Sequence, residues 1–152
     1  MNPIRPASAA DASRIAEIII TNYRVNFYPF FRNDPFYFGE LNVLDIAAEF
    51  APGTQRFLES YVYDDGVVKG FVQVGDGEIK KLYVEPSFQS QGIGAALLHF
   101  AVNECGGNWL WVLAHNTRGK AFYERNGFAL TGEEIIQDEF VPLQKMKIRR
   151  SL

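Results

Sequence analysis

Cysteine is almost missing from this chain: Cys105 is the only one in 152 residues. One thiol cannot close an intramolecular disulfide or build a cysteine-based zinc cluster, and no other metal-ligand spacing is present, so no metal site is expected. An excess of positive charge is also missing. Fifteen Lys and Arg stand against eighteen Asp and Glu, a net −3. That balance does not supply the basic face that phosphate neutralisation needs, so nucleic acid is not an expected partner. Long apolar runs are absent too. The longest uncharged apolar stretch lies around Ile93–Val102, well short of the ~20 residues a bilayer span requires, so no membrane partner is expected. The opening Met-Asn-Pro-Ile-Arg-Pro has no apolar signal core, and a cytoplasmic location follows as the expectation. No internal repeat or low-complexity segment is visible. What is present is 47% apolar residues, enough for one sizeable core, and residues 1–152 are read as a single domain.

The pattern along the chain alternates between strand and helix signals. Ile4-Arg5-Pro6 is predicted as a short first strand. Ser8 and Asp11 have the spacing of a capping box, with Asp where Glu or Gln is usual. Ala12, Ile15, Ala16, Ile19 and Ile20 recur at helical spacing, which predicts a helix over about 9–22. A second helix is predicted over 41–50, ended by Ala51-Pro52-Gly53. Phe57–Tyr63, Val67–Val74 and Glu78–Val84 then read as an antiparallel meander with turns at Asp64-Asp65-Gly66 and Gly75-Asp76-Gly77. Gly92–Cys105 is helical, with Ile93, Leu97, Phe100, Ala101 and Cys105 on one face. The continuous apolar run Trp109–Ala114 reads as a fully buried strand. Thr117–Asn126 is a short helix closed by Gly127, and two further strands are expected near 128–131 and 141–149. Strand 78–84, helix and strand 109–114 form a βαβ crossover, so those two strands are parallel in an otherwise antiparallel sheet.

The loop Glu85-Pro86-Ser87-Phe88-Gln89-Ser90-Gln91-Gly92-Ile93-Gly94 runs into the start of a helix. Helix-opening N–H groups lack intrahelical partners and carry partial positive charge, which suits a phosphate or pyrophosphate. Glycines that only permit a tight turn are the competing reading. A dinucleotide fingerprint fits poorly because the third small position is Leu97, and no Gly-Lys-Ser/Thr follows to make a P-loop.

Gln89-x-x-Gly92-x-Gly94 resembles the Gln/Arg-x-x-Gly-x-Gly/Ala signature of the GNAT superfamily of N-acetyltransferases. Leu82-Tyr83-Val84-x-Pro86 before it and Ala95, Leu97 and Leu98 after it fit the same block. A second block, Asn116 and then Ala121-Phe122-Tyr123-Glu124-Arg125-Asn126-Gly127-Phe128, is similar to the family's Asn…Ala-x-x-Phe-Tyr-Glu-Lys-x-Gly-Phe segment. The likeness covers 78–128 well and 4–20 loosely. It implies an α+β domain of three α/β/α-like layers. Its sheet would have six to seven mostly antiparallel strands, with the central parallel pair splayed to hold coenzyme A. It implies acetyl-CoA as donor, an amine of a small molecule or peptide as acceptor, and direct attack in a ternary complex. A homodimer is ordinary for so small an enzyme. The alternative is a non-catalytic acyl-CoA-binding module of the same fold.

The resemblance also implies residue roles. The strand end Leu82, Tyr83 and Val84 would pair with the pantetheine arm. Amides of Gln89, Ser90, Gln91, Gly92, Ile93 and Gly94 would hold the pyrophosphate. Asn116 would reach the cofactor, or simply cap the next helix. Lys120 would add charge near the phosphates. Tyr123 would protonate the leaving thiolate, against the reading of a packing ring beside Phe122. From its strand position and not from the resemblance, Glu78, expected on one face with Lys80, Leu82 and Val84, is the candidate general base, against the reading of a solvated carboxylate at a strand start. Residues 23–38 hold eight aromatics of the chain's 22. Tyr28, Phe31 and Tyr37 are expected to include at least one wall of the acceptor site, with Asp34, Glu40 or Glu139 orienting an ammonium, against the reading of a segment that packs over the sheet or forms a dimer contact.

Overall fold

The computed structural model describes residues 2–137 and 141–149, and Glu139 lies outside them. A seven-stranded mixed sheet runs through the domain in the order β1-β2-β3-β4-β5-β7-β6. Its strands are β1 (Ile4–Pro6), β2 (Ser60–Asp64), β3 (Val68–Gly75), β4 (Glu78–Val84), β5 (Trp109–Leu113), β6 (Phe128–Gln137) and β7 (Val141–Ile148). Every pairing is antiparallel except β4–β5. The helices are α1 (Ala12–Asn26), α2 (Tyr28–Phe31), α3 (Val43–Glu49), α4 (Gln55–Leu58), α5 (Ile93–Cys105) and α6 (Thr117–Arg125).

Burial explains the two helical layers. Ile15, Ile18 and Ile19 of α1 pack with Val62, Phe71 and Phe50 on one sheet face. Ile93, Leu97, Leu98 and Ala101 of α5 pack with Val72, Val74, Ile79 and Val84 on the other. Gly70 permits that approach: a Cβ there would stand 3.0 Å from Leu97 Cδ1 and from the Tyr83 carbonyl oxygen. Phe100 and Cys105, expected on the buried face of α5, are half-buried at its edge.

Three local expectations change. Gln55–Leu58 is a helical turn, with Thr54 Oγ1 accepting from the Phe57 N–H at 3.1 Å, so the second strand starts at Ser60 and not at Phe57. The cap residue won over the aromatic composition of that run. The strand after Gly127 extends to Gln137, with a register shift between Leu130 and Glu134. Finally, β5 is not buried throughout: Leu110, Val112 and Leu113 are, whereas Trp109 and Trp111 are only half-buried.

That last difference comes from the sheet's central feature. β4 and β5 pair only through Glu78 and Trp109, then diverge. On its other edge β4 carries an extra residue: Gln73 opposes Lys81 while Val74 opposes Ile79, which leaves Lys80 as a bulge. A bulge bends and twists its strand, which turns β4 away from β5. It also breaks the simple alternation of side chains. Ile79, Leu82 and Val84 face the α5 core, while Lys81 and Tyr83 meet Tyr23 of α1. Glu78 therefore does not share a face with Leu82 and Val84 as the period of two had suggested.

Candidate active site

The divergence of β4 from β5 opens a cleft of about 520 Å³. Its floor and walls come from β4, from Trp111, Val112 and Leu113 of β5, from the 89–95 loop, from α6 and from the end of α1. The Glu85 N–H donates to the Lys69 carbonyl of β3 at 2.8 Å. By strand alternation the polar groups of Leu82 and Val84 then point the other way, into the gap. One of them is already engaged: the Val84 carbonyl accepts from Asn22 Nδ2 at 3.1 Å and from Gln89 Nε2 at 3.2 Å. The Leu82 groups and the Val84 N–H form the open edge.

Gln89 thus has a mechanical role through its side chain: it ties the loop back onto the last carbonyl of β4. Beyond it Ser90 (φ 64°) and Gly92 (φ 83°) are left-handed, and α5 begins without a side-chain cap. Its first N–H groups are therefore not taken up by a capping side chain. Ser90, Gln91 and Gly92 are exposed, whereas the Ile93 side chain is buried in the core, leaving only its amide for a ligand. Gly94 is small for a packing reason as well: a Cβ there would lie 3.4 Å from the Phe122 ring.

On the opposite wall Asn116 caps α6, its Oδ1 accepting from the Gly119 N–H at 2.8 Å, and it also lines the cleft. Arg118 and Arg125 line the cleft. Lys120 does not: its Nζ donates to Gln144 of β7 at 3.0 Å, so helical phase directs it to the sheet and not to the loop. Tyr123 lines the cleft between the rings of Phe122 and Phe128. Burial pushes its phenol up to about 12. The Tyr83 phenol is also raised well above its ordinary value, by burial first and by Tyr23 second.

Glu78 sits where β4 and β5 still pair, at the closed end of the splay, and is not among the cleft-lining residues. Its carboxyl is raised by burial, an effect that Lys80 opposes, Glu59 reinforces and Lys145 opposes. Lys80 is itself held by Glu59, at 3.0 and 3.2 Å to the two carboxylate oxygens.

Tyr28, Phe31 and Tyr37 line neither this cleft nor a cavity on the α1 side of β4. Pro29 and Pro35 prevent a continuous helix, and the segment folds back so that its rings pack with Ile20 and Leu41. Tyr37 is buried, and Tyr28 Oη donates to Asp34 at 2.6 Å. The aromatic residues that approach the cleft are others: Phe27 lines it, and Phe30 stacks on His115 with ring centroids 5.8 Å apart. Sequence reasoning also passed over Asn22, Asn26 and Trp111. Asn22 carried a signal, a polar residue at a buried phase of an otherwise apolar helix. It is 2% exposed, and Asn26 donates to its Oδ1 at 3.3 Å. Among the described residues no group of three or more His, Cys, Asp or Glu is placed to hold a metal, and no helix is long and apolar enough to cross a membrane.

Residues 57–130 match the acetyltransferase (GNAT) domain model. The chain is 27% identical over 94 residues to the peptidyl-lysine N-acetyltransferase YjaB of Salmonella typhimurium, a match that covers 62% of this chain and 63% of that protein's length. In fold it is similar to apo YjaB from Escherichia coli, with a TM-score of 0.77 at 18% identity over 97% of both chains. It is also similar to the PaiA N-acetyltransferase of Thermoplasma acidophilum in complex with coenzyme A, with a TM-score of 0.62 at 21% identity over 95% of this chain and 97% of that one.

Proposed function

We propose that the chain is a member of the GNAT superfamily and an acetyl-CoA-dependent N-acetyltransferase. In this reading residues 1–152 act as one catalytic domain that transfers acetyl to an amine by direct attack. The observation that carries it is the cleft itself. An open strand edge at Leu82 and Val84 leads straight into a helix-opening loop whose amides are uncapped. A pantetheine arm needs the first and a pyrophosphate the second. The residues present fit coenzyme A on both counts, with Arg118 and Arg125 adding positive charge along the same cleft.

Acetyl-CoA supplies an activated acyl thioester. The chain's part is to orient it and to handle protons. Leu82 and Val84 would hold the arm through their backbone. The amides from Gln89 to Gly94 would hold the diphosphate. Tyr123 would present the proton on its Oη to the departing sulfur. A phenol near 12 and an ordinary thiol near 8.5 are poorly matched in water. Burial raises both groups, however, so inside one cleft the gap narrows. Glu78 would accept the proton of the incoming ammonium, through water from its place at the closed end of the splay. A raised carboxyl is the better base at neutral pH. Cys105 takes no part. It ends α5, twelve residues beyond the loop, a rise of about 18 Å, and burial pushes its thiol up, away from the reactive thiolate.

The test combines two measurements on the purified protein. Thermal melts with and without coenzyme A should show a rise of stability, about 2.7 kcal/mol at a hundredfold excess over Kd. Thiol release from acetyl-CoA should then depend on added amine, including lysine peptides, since the similar YjaB protein is named for peptidyl-lysine. A coenzyme A shift without thiol release from any amine would replace the enzyme by a non-catalytic acyl-CoA-binding module.

A further inference from the structure

A second cavity, about 390 Å³, lies on the α1 side of β4. Its volume is that of a small-molecule site. The inner walls are apolar: Ile19, Leu41 and Phe50 are all at least nine-tenths buried, with Ile46 beside them. Tyr23 and Phe36 add ring surfaces.

The polar groups are unequal. Of the three lining carboxylates, Asp45 is bound by Asn42 Nδ2 at 2.8 Å, and Glu49 is paired with Arg56 at 2.7 Å. Glu40 has no ion-pair partner among the described residues. Lys81 likewise has no carboxylate partner among them; its Nζ donates to the Tyr23 hydroxyl at 3.2 Å. Among the described residues Lys81 is also the one that lines both this cavity and the proposed coenzyme cleft. The cavity is thus lined by a cation, Lys81, that it shares with the cleft, by an exposed anion, Glu40, and by apolar walls, and neither charge has an ion-pair partner among the described residues.

We propose that this cavity is the acceptor site and that it takes an amine bearing a second positive charge on an apolar chain. The inference rests on the acetyltransferase reading above. The fixed charge of Lys81 disfavours an ammonium beside it and so favours the neutral, nucleophilic amine at the cleft end. The distal cation would sit against Glu40, backed by the Phe36 ring. The intervening methylenes would replace water on Ile19, Leu41 and Phe50. A free diamine and a lysine flanked by a second basic residue in a peptide share this chemistry.

The test compares 1,4-diaminobutane with butylamine, and a blocked Lys-Lys peptide with a blocked Lys-Ala peptide, in thiol-release assays. The doubly charged member of either pair should have the lower KM, and the pair that shows it identifies the source. Glu40→Gln should raise that KM roughly two- to fivefold, as expected for an exposed ion pair, and Glu40→Lys should raise it further. KM for acetyl-CoA and for butylamine should stay unchanged. Lys81→Met should move the rise of rate with pH to higher pH, because the bound amine would keep its proton longer. Melts with 1,6-diaminohexane alone give a readout without turnover: a rise in the parent that Glu40→Lys removes supports the site. Equal KM within both pairs, or a doubly charged KM indifferent to Glu40, overturns the proposal even if acetyl transfer itself is robust. Absence of transfer to every amine, with the diamine melt shift retained, overturns the acetyltransferase reading and leaves a cation site.

Discussion

Tyr123 and Glu78 illustrate how burial decides the state of a side chain that sequence can only nominate. Both are pushed up by desolvation, the phenol to about 12 and the carboxyl above its ordinary range. Tyr123 therefore keeps its proton across all working pH values. Tyr123→Phe keeps the ring and removes only the hydroxyl that carries that proton. Turnover should fall roughly 10²–10⁴-fold while the coenzyme A melt shift persists; near-parental turnover, where chemistry limits the rate, would make Tyr123 a packing residue. Glu78 should govern the acid limb, with rate rising as its carboxyl ionises. Lys80 favours that ionisation by holding the carboxyl lower, so Lys80→Met should displace the limb to higher pH, and an unmoved limb would show that Glu78 is not the titrating group. Tyr123 and Glu78 were nominated from a motif and a strand start. Asn22 and Lys81 were not, because their partners, the Val84 carbonyl and the Tyr23 hydroxyl, are 62 and 58 positions away in sequence.

At the level of elements, the 89–94 loop and the start of α5 follow from local rules, and so does their capacity for a phosphate. Ser90 is the residue with which to test it. It is exposed, and its left-handed φ of 64° suits Asp. Ser90→Asp should leave the melting temperature of the free protein near parental and shrink the coenzyme A shift by repelling the diphosphate; an undiminished shift would place the phosphates elsewhere. Gly94→Glu is a poor probe of the same point, because it would drive α6 away through Phe122. Helix α6 has its own dependence on a small residue. A Cβ on Gly119 would meet the Asn116 side chain, so Gly119→Ala should cost the cap, about 1 kcal/mol of stability in denaturant titration. The β4 bulge was invisible from the strand's own residues. An extra residue is defined only against the partner strand, here β3, and with it came the wrong face for Glu78.

Across the whole molecule one charge cluster ties the first strand, the first helix and the sheet. Arg5 donates to Asp11 at 2.8 Å and to Asp64 at 2.9 Å. Burial alone would raise the Asp11 carboxyl, but the Arg5 guanidinium and the Ser8 hydrogen bonds outweigh it and hold it below the ordinary range. A carboxyl lowered on folding stabilises above its unfolded value, near 3.9, and that stability is lost as pH falls through the folded one. Acid melts of the parent should therefore lose stability below about pH 4. Asp11→Asn should start less stable at neutral pH and show a shallower loss, and an identical acid slope would assign the loss to other carboxylates. The capping-box spacing of Ser8 and Asp11 was legible; that Asp11 also anchors Arg5 was not. The same division holds for the molecule. Periodicity, turn residues and caps are contacts within a few residues of one another, and by themselves they determined the α+β class, the parallel pair and the helix-opening 89–94 loop, whereas the roles proposed for that loop and for Tyr123 came from the family resemblance. The folding of residues 27–38 back onto α1, the half-exposed tryptophans of β5, the turning of Lys120 to β7 and the cavity lined by Glu40 and Lys81 were decided only by tertiary structure, because each depends on which distant surface a side chain meets once the sheet has bent.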